Sequence, residues 1–493
     1  MSRISSIAAI LAAGAALAAC GSVPANGTPH AAMAGSADAT PAACPAPAPA
    51  PAPATTVAGA STIAGASTIA GAGAASAPTV NLRAFAGQGR LAFVSAGQLY
   101  VLDGTVAGKP AVLHKVAGPG SIVAMGWSPD GQWLAFLSAP YDAQGAGAVG
   151  TLWLARADGQ DARLVVGAAE SFAWSPTADV LVATATDPAT GLFGLCELRP
   201  GAVPRFVPGV PGLAGAPAWT PAWSPDGRQL AFTDVRYSQA TGAFTGSELE
   251  TIPAGGGTPV ARARSATAAL VPDGWWPGGD GLFAWADPRG SAQRAADGAP
   301  LVSYPFHGRA VVLGSTLMHA SFAVPVLGGV TIVTGGNRYL WDGKTLQFCL
   351  VAGMCMPAMA AEPGPVNLDP AWTTAQAPII AFVHASATAP SGTGQAALGA
   401  WYATGKLWYE NVTGGNPFPV ANAGTGVAAP AWSASGDYIL YVRNDGLWLI
   451  RMFTANGSLA AGPAQRVVSR LFAGSWPNYD GYVDWQSQFA WHS

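Results

Sequence analysis

Charge is what this chain has least of. Of 493 residues, 23 are Lys or Arg and 26 are Asp or Glu, so 10% are charged, against about 25% in a typical soluble domain. The surface must therefore rely on Ala, Gly, Ser, Thr and Pro. A formal net charge of -3 leaves no basic footprint and argues against sequence-independent nucleic-acid binding. Histidine is also scarce. His30, His114, His307, His319, His384 and His492 include no pair at i, i+4, and no His-Glu-x-x-His occurs. There is no Gly-x-Ser-x-Gly elbow, no convincing phosphate or dinucleotide loop and no Asp-x-Asp-x-Asp-Gly calcium loop. The sequence therefore names no metal, no cofactor and no catalytic residue. Past the N-terminus no apolar run reaches 18 residues with helical character, so no second membrane span is expected.

Glycine (63) and proline (41) are plentiful, which means frequent turns and argues against long helices. Residues 1–19 read as a signal peptide: Arg3 gives a short positive region, and Ile4 to Ala19 is an apolar run ending in small residues. The run closes in Leu17-Ala18-Ala19-Cys20, which resembles the lipobox of bacterial lipoproteins. That resemblance implies cleavage before Cys20, diacylglycerol on its thiol and a membrane anchor through acyl chains. Two or three chains anchor stably where one does not. Residues 20–82 then read as the lipidated cysteine followed by a tether. An alternating Pro-Ala run spans Pro45 to Pro53, and Ala60-Ser61-Thr62-Ile63-Ala64-Gly65 repeats at Ala66 to Gly71. Cys44 lies in this stretch with no obvious partner.

The remaining residues, 83–493, carry an internal repeat. Gly126-Trp127-Ser128-Pro129-Asp130-Gly131 returns as Ala173-Trp174-Ser175-Pro176, Ala222-Trp223-Ser224-Pro225-Asp226-Gly227, Ala371-Trp372-Thr373 and Ala431-Trp432-Ser433. Weaker copies are Trp275-Trp276-Pro277 and Val483-Asp484-Trp485. Short apolar and aromatic runs follow each copy, as in Leu230-Ala231-Phe232 and Leu447-Trp448-Leu449, with the length and boundaries of strands. Anchors taken at 127, 174, 223, 276, 372, 432 and 485 are separated by 47, 49, 53, 96, 60 and 53 residues. The double gap places a degenerate anchor at Val324, in Ser321-Phe322-Ala323-Val324-Pro325. Eight anchors favour eight four-stranded units, with six or seven left open. The first strand-like runs, near Leu91 and Leu99, lack a preceding anchor, and the last anchor lacks a complete unit after it. Strands from both chain ends closing one ring would resolve both and leave no free sheet edge.

Trp-Ser-Pro-Asp-Gly followed by Leu-Ala-Phe resembles the WD-like repeat of TolB-type β-propellers, seen also in the propeller domains of prolyl-oligopeptidase relatives. The resemblance covers most of 84–493. It implies an all-β propeller, and association with partners in the cell envelope. In the turn itself Pro presets φ, Asp bonds the backbone and Gly takes φ > 0. The tryptophans are expected to fill the wedges between blades.

Of the other cysteines, Cys349 and Cys355 are close enough in sequence for a local disulfide, with free thiols as the alternative. Cys196, in an apolar run, reads as a buried small hydrophobe. Three long connections, 138–150, 234–247 and 384–405, are expected on one face of the ring. They supply candidate binding residues Tyr141, Asp142, Asp234, Arg236, Tyr237, His384, Trp401 and Tyr402. The resulting expectation is a lipid-anchored envelope protein, on the outer membrane or the extracytoplasmic face of the plasma membrane. Its propeller would be a non-catalytic binding module for a protein, peptide or glycan. The alternatives are a glycan lyase or hydrolase with a site in the central funnel, and a plain structural spacer.

Overall fold

A computed structural model describes residues 43–44 and 78–493, apart from 119–120, 140–148, 188–189, 214–220, 239, 289–296, 320, 327, 358–364, 374, 376–377, 393, 412–415, 456–457 and 472–482. The chain is all-β. Its strands form successive antiparallel sheets, here numbered I to VII in order of first appearance. Sheet I holds three strands within 89–115. Sheet II has seven strands within 122–206, and sheets III (222–265), IV (268–316), V (323–357) and VI (365–419) have four each. Sheet VII (427–468) has four in sequence and a fifth paired back onto its third. Sheet II is two four-stranded meanders sharing one long strand. The first half of Arg163–Trp174 pairs with Gly150–Arg156 and the second half with Leu181–Thr186. Sheet I gains its fourth strand from Phe489–His492, which pairs with Gly89–Ser95 through Arg90↔His492 to Phe93↔Phe489.

Alternation along each strand buries one row of side chains on each neighbour. Val101 of sheet I packs with Phe136 of sheet II, and Val182 of sheet II with Phe232 of sheet III. Ala231 meets Leu282 of sheet IV, and Phe283 meets Ile332 of sheet V. Leu346 of sheet V, Phe382 of sheet VI and Tyr441 of sheet VII share one cluster. Leu440 and Val442 of sheet VII pack in turn on Leu91 and Phe93 of sheet I.

Each repeated tryptophan sits near the end of the first strand of a four-stranded meander and reaches the preceding meander, which for Trp174 is the other half of sheet II. The indole N–H of Trp174 donates to Gly126 O, that of Trp223 to Ala173 O and that of Trp275 to Ala222 O, each at 3.0 Å. Trp127 donates to Ala490 O at 3.0 Å and Trp432 to Ala371 O at 3.2 Å. Every acceptor is the residue just before the preceding meander's own tryptophan. This corrects two of the anchors read from spacing. Trp275, not Trp276, makes the bond; Trp276 turns the other way, over Gly281, where a Cβ would lie 2.4 Å from its ring. At the C-terminus the strand position belongs to Trp491, while Trp485 is buried in a 3-10 turn, Trp485–Ser487.

Val324 occupies the tryptophan register: Val324 pairs with Thr331 as Trp174 pairs with Leu181. The valine side chain has no N–H to offer, so the series lapses there. Trp372 of the next sheet donates instead to Thr331 Oγ1, at 2.8 Å.

The turns after Trp127 and Trp223 are held by a buried serine whose part the sequence reading passed over. Ser128 Oγ donates to Asp130 Oδ1 (2.6 Å) and accepts from the Trp133 N–H (3.0 Å). Ser224 repeats this with Asp226 (2.6 Å) and Gln229 (2.9 Å). Gly131 and Gly227 adopt φ of 66° and 69°, the left-handed region glycine enters without penalty.

The cysteine reading needs correction. Cys44 and Cys196 are bonded to each other across 152 residues of sequence, so neither the unpartnered Cys44 nor the free buried Cys196 survives. Ala43 pairs with Arg205, and Val80 pairs with Val468, so parts of the stretch read as tether lie on the sheets. Cys349 and Cys355 face each other on adjacent strands and are also bonded.

The indole bond should be separable from the indole volume. Trp223→Phe keeps most of the buried ring and loses the bond to Ala173 O, an expected cost of about 0.5–1.5 kcal/mol. Trp223→Ala also empties the wedge and should cost about 3–5 kcal/mol. Urea unfolding of both variants checks this; equal losses would deny the hydrogen bond its separate role.

Candidate binding surface

Asp234, Arg236 and Tyr237 were expected on a long loop. They lie instead on the strand Gln229–Tyr237, which runs as a ladder with Phe244–Pro253 almost to a short turn at 238–243. In that ladder Asp234 stands opposite Glu248, and Glu248 opposite Arg264. The register gathers the charges. Arg236 Nε donates to Asp234 Oδ2 at 3.0 Å and its Nη1 reaches Glu248 Oε1 at 2.9 Å, while Arg264 Nε lies 3.1 Å from the same oxygen. The carboxylates lie inward, at 13% and 9% side-chain exposure, and the guanidiniums outward, at 53% and 72%. Tyr237 meets Phe244 edge-on at the tip, with centroids 6.1 Å apart. Glu248 and Arg264 were missed by sequence reasoning; counting back from the turn through the strand alternation would have found both.

Trp401 and Tyr402 also move from loop to element. They end the helix Gln395–Tyr402. Trp401 is buried, and its indole N–H donates to Ser386 O at 2.9 Å. Ring contacts run Tyr339–Trp341–Trp401–Tyr402–Trp485, with centroids 5.2 to 6.4 Å apart, joining three parts of the chain. Burial and the nearby Asp369 push the Tyr402 phenol well above its ordinary range. Asp369, Trp401, Tyr402 and Trp485 line a cavity with about 20 Å³ open to the centre of a water molecule, room for one water and no ligand. These two aromatics thus brace the face rather than present it.

His384 lies on the strand Ile379–Ser386. Its Nδ1 is 2.9 Å from Asn367 Oδ1, and its ring lies 4.6 Å from that of Trp408. The structure brings Asp234, Arg236 and Tyr237 together and leaves His384 on another sheet. Tyr141, Asp142 and Cys20 lie outside the described residues. Among the described residues no group of three or more His, Cys, Asp or Glu is placed to hold a metal ion.

Several carboxylic acids are buried and have their pKa raised by it. Glu170 and Glu410 are pushed up to about 7 by burial. Glu250 reaches about 7 by burial and by the charges of Asp234 and Glu248. Each has one carboxyl oxygen with no hydrogen-bond partner. Asp273 and Asp369, at bulges in the first strands of sheets IV and VI, are also raised by burial.

A raised carboxyl pKa stabilises the fold below the unfolded value, and that contribution is lost as pH rises through the folded value. For these three glutamates the loss falls between about 4.5 and 7. His319, pushed down to about 4 by burial, works the other way below about 6.5, so the informative quantity is a difference between variants. The triple variant Glu170→Gln/Glu250→Gln/Glu410→Gln should gain thermal stability relative to the parent as pH rises from 5 to 8. A difference in Tm that does not change with pH would contradict the neutral acids.

No protein-family model matches the chain, and no curated protein sequence matches it. Solved structures that resemble it include a prolyl endopeptidase, at 9% identity over 72% of this chain and 50% of that one, with a TM-score of 0.47. A puromycin-hydrolysing peptidase from Mycobacterium tuberculosis is 14% identical over 69% of this chain and 53% of that one, with a TM-score of 0.41. TolB from Acinetobacter baumannii is 14% identical over 82% of this chain and 66% of that one, with a TM-score of 0.32. This chain thus spans about half the length of the peptidases. Its structural neighbours include both TolB and prolyl peptidases, and at these identities and scores the likeness carries no activity across.

Proposed function

We propose that the chain is a bacterial envelope lipoprotein, acylated at Cys20, whose β-propeller is a non-catalytic binding module for a protein, peptide or glycan. The propeller in this reading has eight blades: sheets I and III to VII give one each and sheet II gives two. Pairing of Phe489–His492 with Gly89–Ser95, and the packing of sheet VII on sheet I, support a closed ring.

The observation that carries the binding role is the charged tip of sheet III. Exposed Arg236 and Arg264, beside Tyr237 and Phe244, stand on a paired ladder rather than on a free loop. Guanidiniums held by buried carboxylates offer oriented donors, and little ordering is left for a partner to impose. A second reading, glycan hydrolysis or elimination in the central funnel, draws on Glu170, Asp273 and Asp369. These are acids whose pKa is raised by burial, on the first strands, the row that lines a propeller's axis.

The two readings part on mutation. Arg236→Ala/Tyr237→Ala should lower partner retention at least tenfold in a cross-linking pull-down from the native envelope. Its Tm should fall, because Asp234 and Glu248 lose the guanidinium between them, but its circular-dichroism spectrum should remain that of the folded parent, since neither side chain is in the core. An unchanged set of retained partners would remove the tip from the function. Loss of a glycan-cleaving activity in Asp273→Asn, with binding intact, would favour the funnel.

A further inference from the structure

The chain enters the folded domain twice. Ala43 pairs with Arg205 at the outer edge of sheet II, and the Cys44 N–H donates to Pro204 O at 3.2 Å. Cys44 is itself buried, packed with Leu137, Leu152 and Leu154 and bonded to Cys196. The chain returns at Thr79–Asn81 on the outer strand of sheet VII. There Val80 pairs with Val468, Ser469 N–H donates to Thr79 O (2.9 Å) and Asn81 N–H to Val467 O (2.8 Å). Cys44 and Thr79 are therefore held on two different sheets.

We infer that the Cys44–Cys196 bond is the attachment point of the N-terminal segment. On this view the Pro-Ala run and the two Ala-Ser-Thr-Ile-Ala-Gly copies form a closed loop and add nothing to the reach from a membrane. The membrane side of this inference rests on acylation of Cys20, as proposed above. With the bond in place, the free linker is residues 21–42; without it, the linker runs through residues 21–77. For flexible chains these have end-to-end distances of about 26 Å and about 42 Å. The exit point moves as well, from the edge of sheet VII to the edge of sheet II. The two thiols give up two protons and two electrons to form the bond, and a protein disulfide that takes them up leaves as a dithiol. Once formed, the bond is shielded from exchange by the packing around Cys44.

The test uses the full-length acylated protein and its Cys44→Ser variant, each carrying a site-specific protease sequence inserted between Gly65 and Ala66. After cleavage and denaturation without reductant, the parent should run as one species and separate only when reduced. The variant should separate at once. Neutron reflectometry on supported bilayers then reads the height of the protein layer, which should rise about 1.6-fold in spread from parent to variant. Parent fragments that part without reductant would overturn the attachment, and equal layer heights would overturn its control of reach. If neither protein is held by the bilayer, acylation fails, and the gel alone decides the attachment.

Discussion

An indole N–H donated from one four-stranded meander to the main chain of the one before it is the contact on which this architecture turns. A tryptophan laid between two sheets buries a large flat surface, but its N–H cannot be buried unpaired without a cost of about 1–3 kcal/mol. The neighbour meets that demand with the carbonyl just before its own tryptophan, as Gly126 does for Trp174 and Ala173 for Trp223. The rule is recursive. Each first strand carries both the donor for one neighbour and the acceptor for the other, so a single short sequence, small-Trp-Ser, specifies both sides of the wedge. The serine completes the unit by closing the turn through Asp130 or Asp226. Electrostatic attraction has little part in this; a chain with so few charges is assembled by burial and by paired polar groups.

The exception clarifies the rule. Where Val324 replaces the tryptophan, the adjoining Gly274 has no indole to receive; a Cβ there would lie 3.0 Å from Pro325 instead. On the other side Trp372 finds a threonine hydroxyl. Packing between sheets IV and V continues through Phe283, Leu301, Val330 and Ile332, so loss of one indole is absorbed by the aliphatic rows. The inter-sheet interface is thus redundant at any single joint. The tips of the strands are freer to vary, and the charged ladder of sheet III and the aromatic contacts of Trp341, Trp401 and Tyr402 are found there.

Much of this was legible in the sequence because the repeat is written in residues with unusual demands. Trp, Ser, Pro, Asp and Gly recur for geometric reasons, and spacing alone located Val324 within its strand. Adjacent tryptophans defeated the same reasoning. Trp275 and Trp276 fit the spacing equally well, and the bulge between Pro272 and Gly274 decides which one faces the neighbour. At the C-terminus spacing favoured Trp485 as the anchor over Trp491, whose strand partner, Leu91, lies almost the whole chain away. The same distance hid the Cys44–Cys196 bond: composition marks a Pro-Ala stretch as extended but says nothing of what its ends touch. Arg236 was visible, its carboxylate partner Glu248 was not, since loop and ladder differ only in a register that residues 238–243 set. Trp401 was read as a loop aromatic although Gln395-Ala396-Ala397-Leu398 before it is good helix sequence.

An experimental density map at side-chain resolution, viewed along the axis, tests the architecture most directly. It should show eight blades, two of them the halves of sheet II, with Phe489–His492 inside Gly89–Ser95. The indole nitrogens of Trp127, Trp174, Trp223, Trp275 and Trp432 should lie within hydrogen-bonding distance of the carbonyls of residues 490, 126, 173, 222 and 371. A ring of six or seven blades, or one left open between sheets VII and I, would contradict it.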